Sequence, residues 1–194
     1  MLEAVLLEGR GLRLEPLAAA HAQDLARAAA DGEVWRKWTT SIPAPDEMPA
    51  VVDARLAAHT AGRIVPWAVV VDGRAVGMTS YWAVDEANRR LEIGATWLGA
   101  SMQGTGVNAE AKLLLLTRAF DVLDCIAVEF RTHWHNRQSR AAIERLGAKL
   151  DGVLRSHQIG RGGSLRDTVV YSITAAEWPA VRIGLLERLR ARDQ

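Results

Sequence analysis

Apolar and polar positions alternate from Arg90 to Leu98 (RLEIGATWL), a period of two that predicts a strand. Val107 to Leu123 (VNAEAKLLLLTRAFDVL) is apolar-rich over a length that suits a helix, and Ile126 to Thr132 (IAVEFRT) is strand-like again. Strand, helix and strand in that order predict a parallel βαβ unit over Arg89 to His133. Upstream, Pro66 to Val71 and Ala75 to Ala83 read as strands joined at Asp72-Gly73-Arg74, a hairpin signal. A turn at Asp85–Asn88 leads into the third strand.

The flanks follow the same rules. Residues 2–15 read as a hairpin or broken strand around Gly9 and Gly11. Leu17 to Ala30 is alanine-rich and helical, with Asp31-Gly32 expected to end it. Trp35 and Trp38 lie before a proline-closed loop, where they either line a pocket or staple the helix to the core. Asp46 to Ala61 has helical spacing. Ser139 to Leu146 reads as a helix closed by Gly147, and Lys149 to His157 and Thr168 to Thr174 as strands around the turn Arg161–Ser164. Ala175 to Arg192 is an amphipathic tail helix. Without repeat or linker, residues 1–194 form one α+β domain with a mixed sheet.

The join between the alternating strand and the long helix carries the first chemical signal. It reads Gln103-Gly104-Thr105-Gly106-Val107-Asn108. Glycine lets the backbone turn sharply and lets a ligand approach closely. The first N–H groups of a helix lack intrahelical partners, and the helix dipole adds positive potential there. Such a join can hold phosphate groups, or it can be a tight turn that needed glycine. The Rossmann fingerprint lacks its third glycine here, and the Walker pattern lacks its Gly-Lys-Ser/Thr ending.

Composition narrows the classes. Hydrophobic residues make up 49% of the 194-residue chain, which suits one folded domain with a full core. A net charge of +1 gives no reason to invoke nucleic acid or an anionic membrane. The apolar runs are too short to span a bilayer. The N-terminus, with Glu3, Glu8 and Arg10, reads as mature protein rather than a signal peptide. A single cysteine, Cys125, fits a reducing cytoplasm and reads as a packed thiol in a buried strand.

QGTGVN between strand and helix, Asn136-x-x-Ser139 and the Leu146–Ala148 ending together resemble the GNAT superfamily of acyl-CoA-dependent N-acetyltransferases. The family loop reads Gln/Arg-x-x-Gly-x-Gly/Ala; Gln103 and Gly106 match it, and Asn108 stands at the final small position. The order of elements agrees over about Leu12 to Thr174. The EIG of Glu92–Gly94, the AEA of Ala109–Ala111 and NRQS look most like the branch of ribosomal-protein N-terminal acetyltransferases. The resemblance implies a mostly antiparallel sheet flanked by helices, with a splayed strand pair holding acyl-CoA. It places the pyrophosphate of coenzyme A on backbone N–H groups of Gln103, Gly104, Thr105, Gly106, Val107 and Asn108. Pantetheine would run between Arg89–Leu98 and Ile126–Thr132, with Asn136 hydrogen-bonding it. Arg137 and Arg140 either face the cofactor phosphates or are solvated helix charges.

Acetyl transfer needs a neutral amine, a donor for the oxyanion and a proton for the thiolate. Glu92 stands where some family members keep a general base; the alternative is an ion-paired strand residue, with Arg90 as its partner. The family tyrosine seven residues after the Asn is replaced by Ile143. Ser139 matches a serine proposed as thiolate donor in the ribosomal-protein branch, and it reads equally as the N-cap of its helix. His133 and His135 fall on one strand face without a third ligand, so no metal is expected. The expected function is acetyl-CoA-dependent transfer of acetyl to a primary amine, on a protein N-terminus or a small molecule, in a ternary complex. The alternative is a non-catalytic acyl-CoA sensor or scaffold. Acetyl-CoA and the amine are the expected partners, a homodimer is left open, and the acceptor carries no sequence motif.

Overall fold

The computed structural model describes residues 2–191, except for the side chain of Arg161, so Met1 and the tail from Arg192 lie outside it. The strands are β1 (Leu7–Glu8), β2 (Arg13–Pro16), β3 (Ile64–Val71), β4 (Arg74–Asp85), β5 (Arg90–Leu98), β6 (Ala127–His133), β7 (Lys149–Ile159) and β8 (Leu165–Thr174). They form one sheet in the order β1-β2-β3-β4-β5-β6-β8-β7. All neighbours are antiparallel except β5 and β6. The helices are α1 (Ala22–Ala30), α2 (Met48–Thr60), α3 (Val107–Thr117), α4 (Arg137–Glu144) and α5 (Trp178–Arg190).

Helices cover both faces, which explains why β3 is apolar throughout rather than alternating. Val65, Trp67 and Val69 join one core with Leu115 of α3 and Trp178 of α5. Ala68 and Val70 join a second core with Leu25 of α1 and Val52 of α2. The hairpin between β3 and β4 turns on Asp72 and Gly73, both with positive φ (49° and 73°). That is the left-handed pair which a two-residue hairpin needs.

Asp31-Gly32 ends α1, as expected: Asp31 caps it with ψ 111°, and Gly32 (φ 64°) and Glu33 (φ 48°) are left-handed before a short 3-10 turn runs on to Arg36. Other local expectations change. Cys125 is buried, but in the connection before β6 rather than in a strand. Burial pushes its thiol pKa up, as for an inert core cysteine. Helix α3 ends in a π-turn over Arg118–Val122.

The feature that matters for function is a split in the sheet. Strands β5 and β6 pair in parallel only at Arg90–Ala127, Leu91–Val128 and Glu92–Glu129. Beyond those rungs β5 continues against β4, while β6 stays paired with β8 as far as His133. The parting coincides with a bulge in β5. Register against β4 slips between Met78 and Ser80, and Ala95 takes φ 50°. An extra residue bends its strand and increases twist. Here it leaves backbone edges of β5 and β6 facing each other without a ladder.

Candidate active site

Strand β5 leads from this split through a short 3-10 turn, Ala100–Met102, into the glycine loop. Gly104 (φ 79°) and Gly106 (φ 106°) both adopt the left-handed conformation that glycine tolerates best. Gly106 caps α3, and its carbonyl accepts from the Glu110 N–H at 3.0 Å. The N–H groups of Val107, Asn108 and Ala109 therefore point out of the helix start. Asn108 occupies the second helical position, where main-chain contacts are available whatever the side chain. Thr105 Oγ1 ties the loop to the Met102 carbonyl at 2.8 Å.

A carboxylate in the first helical turn would repel phosphate, and Glu110 stands there. It is turned away onto the β1–β2 hairpin, where it accepts from the N–H of Arg10 and, at 3.2 Å, of Gly11. Gly9 permits that approach, because a methyl group there would come within 2.4 Å of Glu110 Oε1.

Across the mouth of the split runs a chain of hydrogen bonds. Gln103 Nε2 donates to the Leu98 carbonyl at 2.9 Å, and Gln138 Nε2 donates to Gln103 Oε1 at 3.0 Å. Lys37 Nζ, from the α1–α2 connection, donates to Gln138 Oε1 at 3.1 Å. Gln103 thus ties the end of β5 to the start of α4. Lys37 and Gln138 carried no signal in the sequence, since polar surface residues look the same.

Helix α4 begins at Arg137, two residues earlier than its apolar spacing predicts, and its cap is Asn136. Asn136 Oδ1 accepts from Ser139 N–H at 3.0 Å. Ser139 is therefore not the N-cap, which corrects one of its two readings; Asn at the cap satisfies a first-turn donor better placed for it. The cap uses the carbonyl oxygen of Asn136 and leaves its amide nitrogen as the group that can donate to a ligand. Arg140, expected at the phosphates, donates to Tyr171 Oη at 3.1 Å and to the Trp134 carbonyl at 3.4 Å. Its guanidinium lies 4.3 Å from the centre of the Trp134 ring. In this position it braces α4 against β8.

Glu92 sits on the last paired rung, opposite Glu129. Arg90 bonds Glu129 at 2.6 Å rather than Glu92, which corrects the expected ion pair. Glu92 is met instead by Arg131 Nε at 3.5 Å. Residues two apart on one strand share a face, but the closer partner comes from the neighbouring strand. Burial raises the Glu92 pKa; Arg131 and Arg166 work against that shift and Glu129 adds to it. A cleft of about 480 Å³ opens here, lined by Glu92, Glu129 and Arg131 among others. A larger hollow of about 610 Å³, around Gly62, Ile64 and Ala83–Ala87, holds none of the expected site residues.

Behind the split, Lys112 of α3 is fully enclosed. Its Nζ donates to Thr96 Oγ1 at 2.5 Å and to Thr79 Oγ1 at 3.4 Å, and the two hydroxyls lie 2.8 Å apart. Burial alone brings its pKa down to about 7. Thr96 follows the bulge residue Ala95, so the lysine props the bent strand from below. At the end of β6, Trp38 packs edge-on to His133 (5.0 Å between ring centres) and against His135 (5.8 Å). Trp35 packs instead on the α1–α2 core, so only that tryptophan staples. Burial, chiefly, lowers the His133 pKa. Among the described residues no three His, Cys, Asp or Glu side chains form a metal-binding group. None of the described helices is long and apolar enough to cross a membrane.

A split parallel pair opening onto a glycine loop at a helix start is the arrangement of a CoA-dependent acyltransferase fold. Comparison with known proteins agrees: the model of the acetyltransferase (GNAT) domain matches residues 11–149. The chain belongs to that family. It is similar to YdaF of Bacillus subtilis (strain 168), a provisionally named ribosomal N-acetyltransferase, at 34% identity over 110 residues. That match spans 57% of this chain and 59% of the relative. Among solved structures it resembles a GCN5-related N-acetyltransferase from Brucella melitensis (29% identity, TM-score 0.83, covering 94% of this chain and 84% of that one). It also resembles Mycobacterium smegmatis RimJ in complex with CoA-disulfide (25% identity, TM-score 0.78, 92% and 90%).

Proposed function

We propose that the protein is an acetyl-CoA-dependent amine N-acetyltransferase acting by direct attack in a ternary complex. The observation that carries this reading is the parting of β5 and β6 after three rungs, immediately before the Gln103–Asn108 loop. An extended pantetheine arm can add to the free edges as a further strand would. Backbone N–H groups from Gln103 to Asn108 receive the pyrophosphate, and the amide nitrogen of Asn136 donates to the arm. The relative solved with a CoA-disulfide supports the choice of ligand.

The thioester supplies an acyl group already activated for attack, so this chain need form no covalent bond of its own. Glu92 takes the proton that the amine loses as its nitrogen bonds the carbonyl carbon. Its raised pKa suits it to that role better than that of an exposed carboxylate. An α-amine, with a pKa of about 8, needs less help than an alkyl amine at about 10. As the carbon–sulfur bond breaks, Ser139 donates a hydrogen bond to the departing thiolate, whose proton comes from solvent. Ile143, at the position of the family tyrosine, is buried in the core, so no tyrosine there supplies that proton.

Initial-rate measurements of thiol release against both substrates test the proposal. Intersecting double-reciprocal lines that require the amine are the expected result. Tight CoA binding without amine-dependent release would instead make the fold a sensor or scaffold.

A further inference from the structure

Strand β5 changes face part-way along. Ile93 packs in the core shared with α3 and α5, and Trp97 in the core shared with α1 and α2. Residues four apart on a regular strand share a face, so one residue has been inserted between them. Register locates it. Ser80 of β4 pairs with Gly94 and Met78 with Trp97, which leaves Thr79 alone opposite Ala95 and Thr96. Ala95 is exposed and takes φ 50°, a left-handed conformation unfavourable to a residue with a Cβ. Such a backbone persists only where its surroundings hold it. Strand β6 is paired with β8 along its whole length, so the shape of the split is decided by β5.

Lys112 is placed to do the holding. Its Nζ donates to Thr96 in the bulge and to Thr79 opposite it, and those two hydroxyls bond each other. The three side chains therefore join α3, β5 and β4 at the point where β5 departs from regular pairing. Lys112 stands in the second turn of α3, one turn beyond the N–H groups of Val107–Ala109. One side chain thus fixes where the parted strand lies relative to the helix start. Packing alone does not call for a lysine there. The residue is 4% exposed, and burial is the sole cause acting on its pKa, so no carboxylate offsets the desolvation of its ammonium. Leu115 and Leu116, further along α3, fill buried places with apolar side chains. A residue that weakens the fold while bonding the wall of a ligand groove marks a functional constraint.

Resting on the acetyl-transfer reading above, we propose that Lys112 is a positioning residue for acyl-CoA, which through Thr96 and Thr79 holds the β5 bulge in the shape that admits the pantetheine arm. It touches no reacting atom. Without the lysine, β5 is free to relax toward regular pairing, and the groove loses its preformed width. The arm then binds only after the strand has been bent again, and affinity falls. A ligand that uses the phosphate loop alone does not meet the bulge and keeps its affinity. Lys112 gives up stability for a preformed groove.

Calorimetric titration of wild type and Lys112→Met with CoA tests the proposal. The control ligand, titrated by displacement, is 3′-phospho-ADP, the nucleotide part of CoA without its pantetheine arm. Lys112→Met should bind CoA about tenfold more weakly and 3′-phospho-ADP within about twofold of wild type. It should also melt above wild type at about pH 6, which a lysine serving stability alone would not allow. Thr96→Val, which removes the hydroxyl at nearly the same shape, should lose CoA affinity likewise, and Thr96→Ser should retain it. Unchanged CoA affinity in Lys112→Met overturns the proposal. So does an equal loss for both ligands, which would make the lysine a general support of the fold. A Lys112→Met protein that does not fold overturns it as well, and so does a loss that Thr96→Val does not share. Wild-type protein that binds no CoA overturns the acyl-CoA reading itself.

Discussion

Glu92 Oε2 and Arg131 Nε stand 3.5 Å apart, across the last rung that joins β5 to β6. The arginine opposes the rise in pKa that burial imposes on the glutamate. A base needs its carboxylate ionised, so activity should fall as pH drops through this raised pKa. Glu92→Gln should lower kcat by about a hundredfold or more and abolish that acid limb. Arg131→Gln removes a stabilising positive charge and should move the limb to higher pH. Profiles of kcat/KM check both; a Glu92→Gln variant that keeps the wild-type limb would remove Glu92 from proton transfer.

Lys112 carries a cost that its replacement should expose. Its pKa is about 7 in the folded protein against an ordinary value of 10.5. Between those values the unfolded chain holds one more proton, so this group makes stability rise with pH across that window. Below about pH 7 the full cost of a buried ammonium is present. Lys112→Met, similar in shape, should therefore raise stability by a few kcal/mol at about pH 6 and by much less at about pH 10. Denaturant melts at the two pH values check this. A stability difference independent of pH would mean that the lysine does not titrate in this way.

Much of this architecture was readable in the chain. Asp72-Gly73 announced its hairpin because both turn residues tolerate positive φ. The alternation of β5 and the length of α3 were equally plain. The split itself was not, because the bulge at Ala95 needs no glycine and follows from how β5 packs on β4. The start of α4 was misplaced because Arg137 and Gln138 show no apolar period, although Asn136 is a good cap. Lys112 is hidden for the opposite reason: a lysine among leucines reads as a solvated position, yet its ammonium is held by two threonines.

Asn136 does two jobs that substitution can separate. Asn136→Ala should cost about 1 kcal/mol for the lost helix cap and should also weaken CoA binding. Asn136→Asp keeps an oxygen to accept from Ser139 N–H but removes the amide donor. It should melt close to wild type while binding CoA about tenfold more weakly. Thermal melts with calorimetric titration of CoA check the pair. Wild-type affinity in the Asn136→Asp variant would show that the amide does not reach the ligand.

The central claim is that β5 and β6 part to receive acyl-CoA. Amide hydrogen exchange with and without saturating CoA reads it segment by segment. Protection is expected in Ile93–Leu98, in Phe130–His133 and in the Gln103–Asn108 loop, with little change in the β7–β8 hairpin. CoA that binds tightly while those three segments exchange as before would contradict the account.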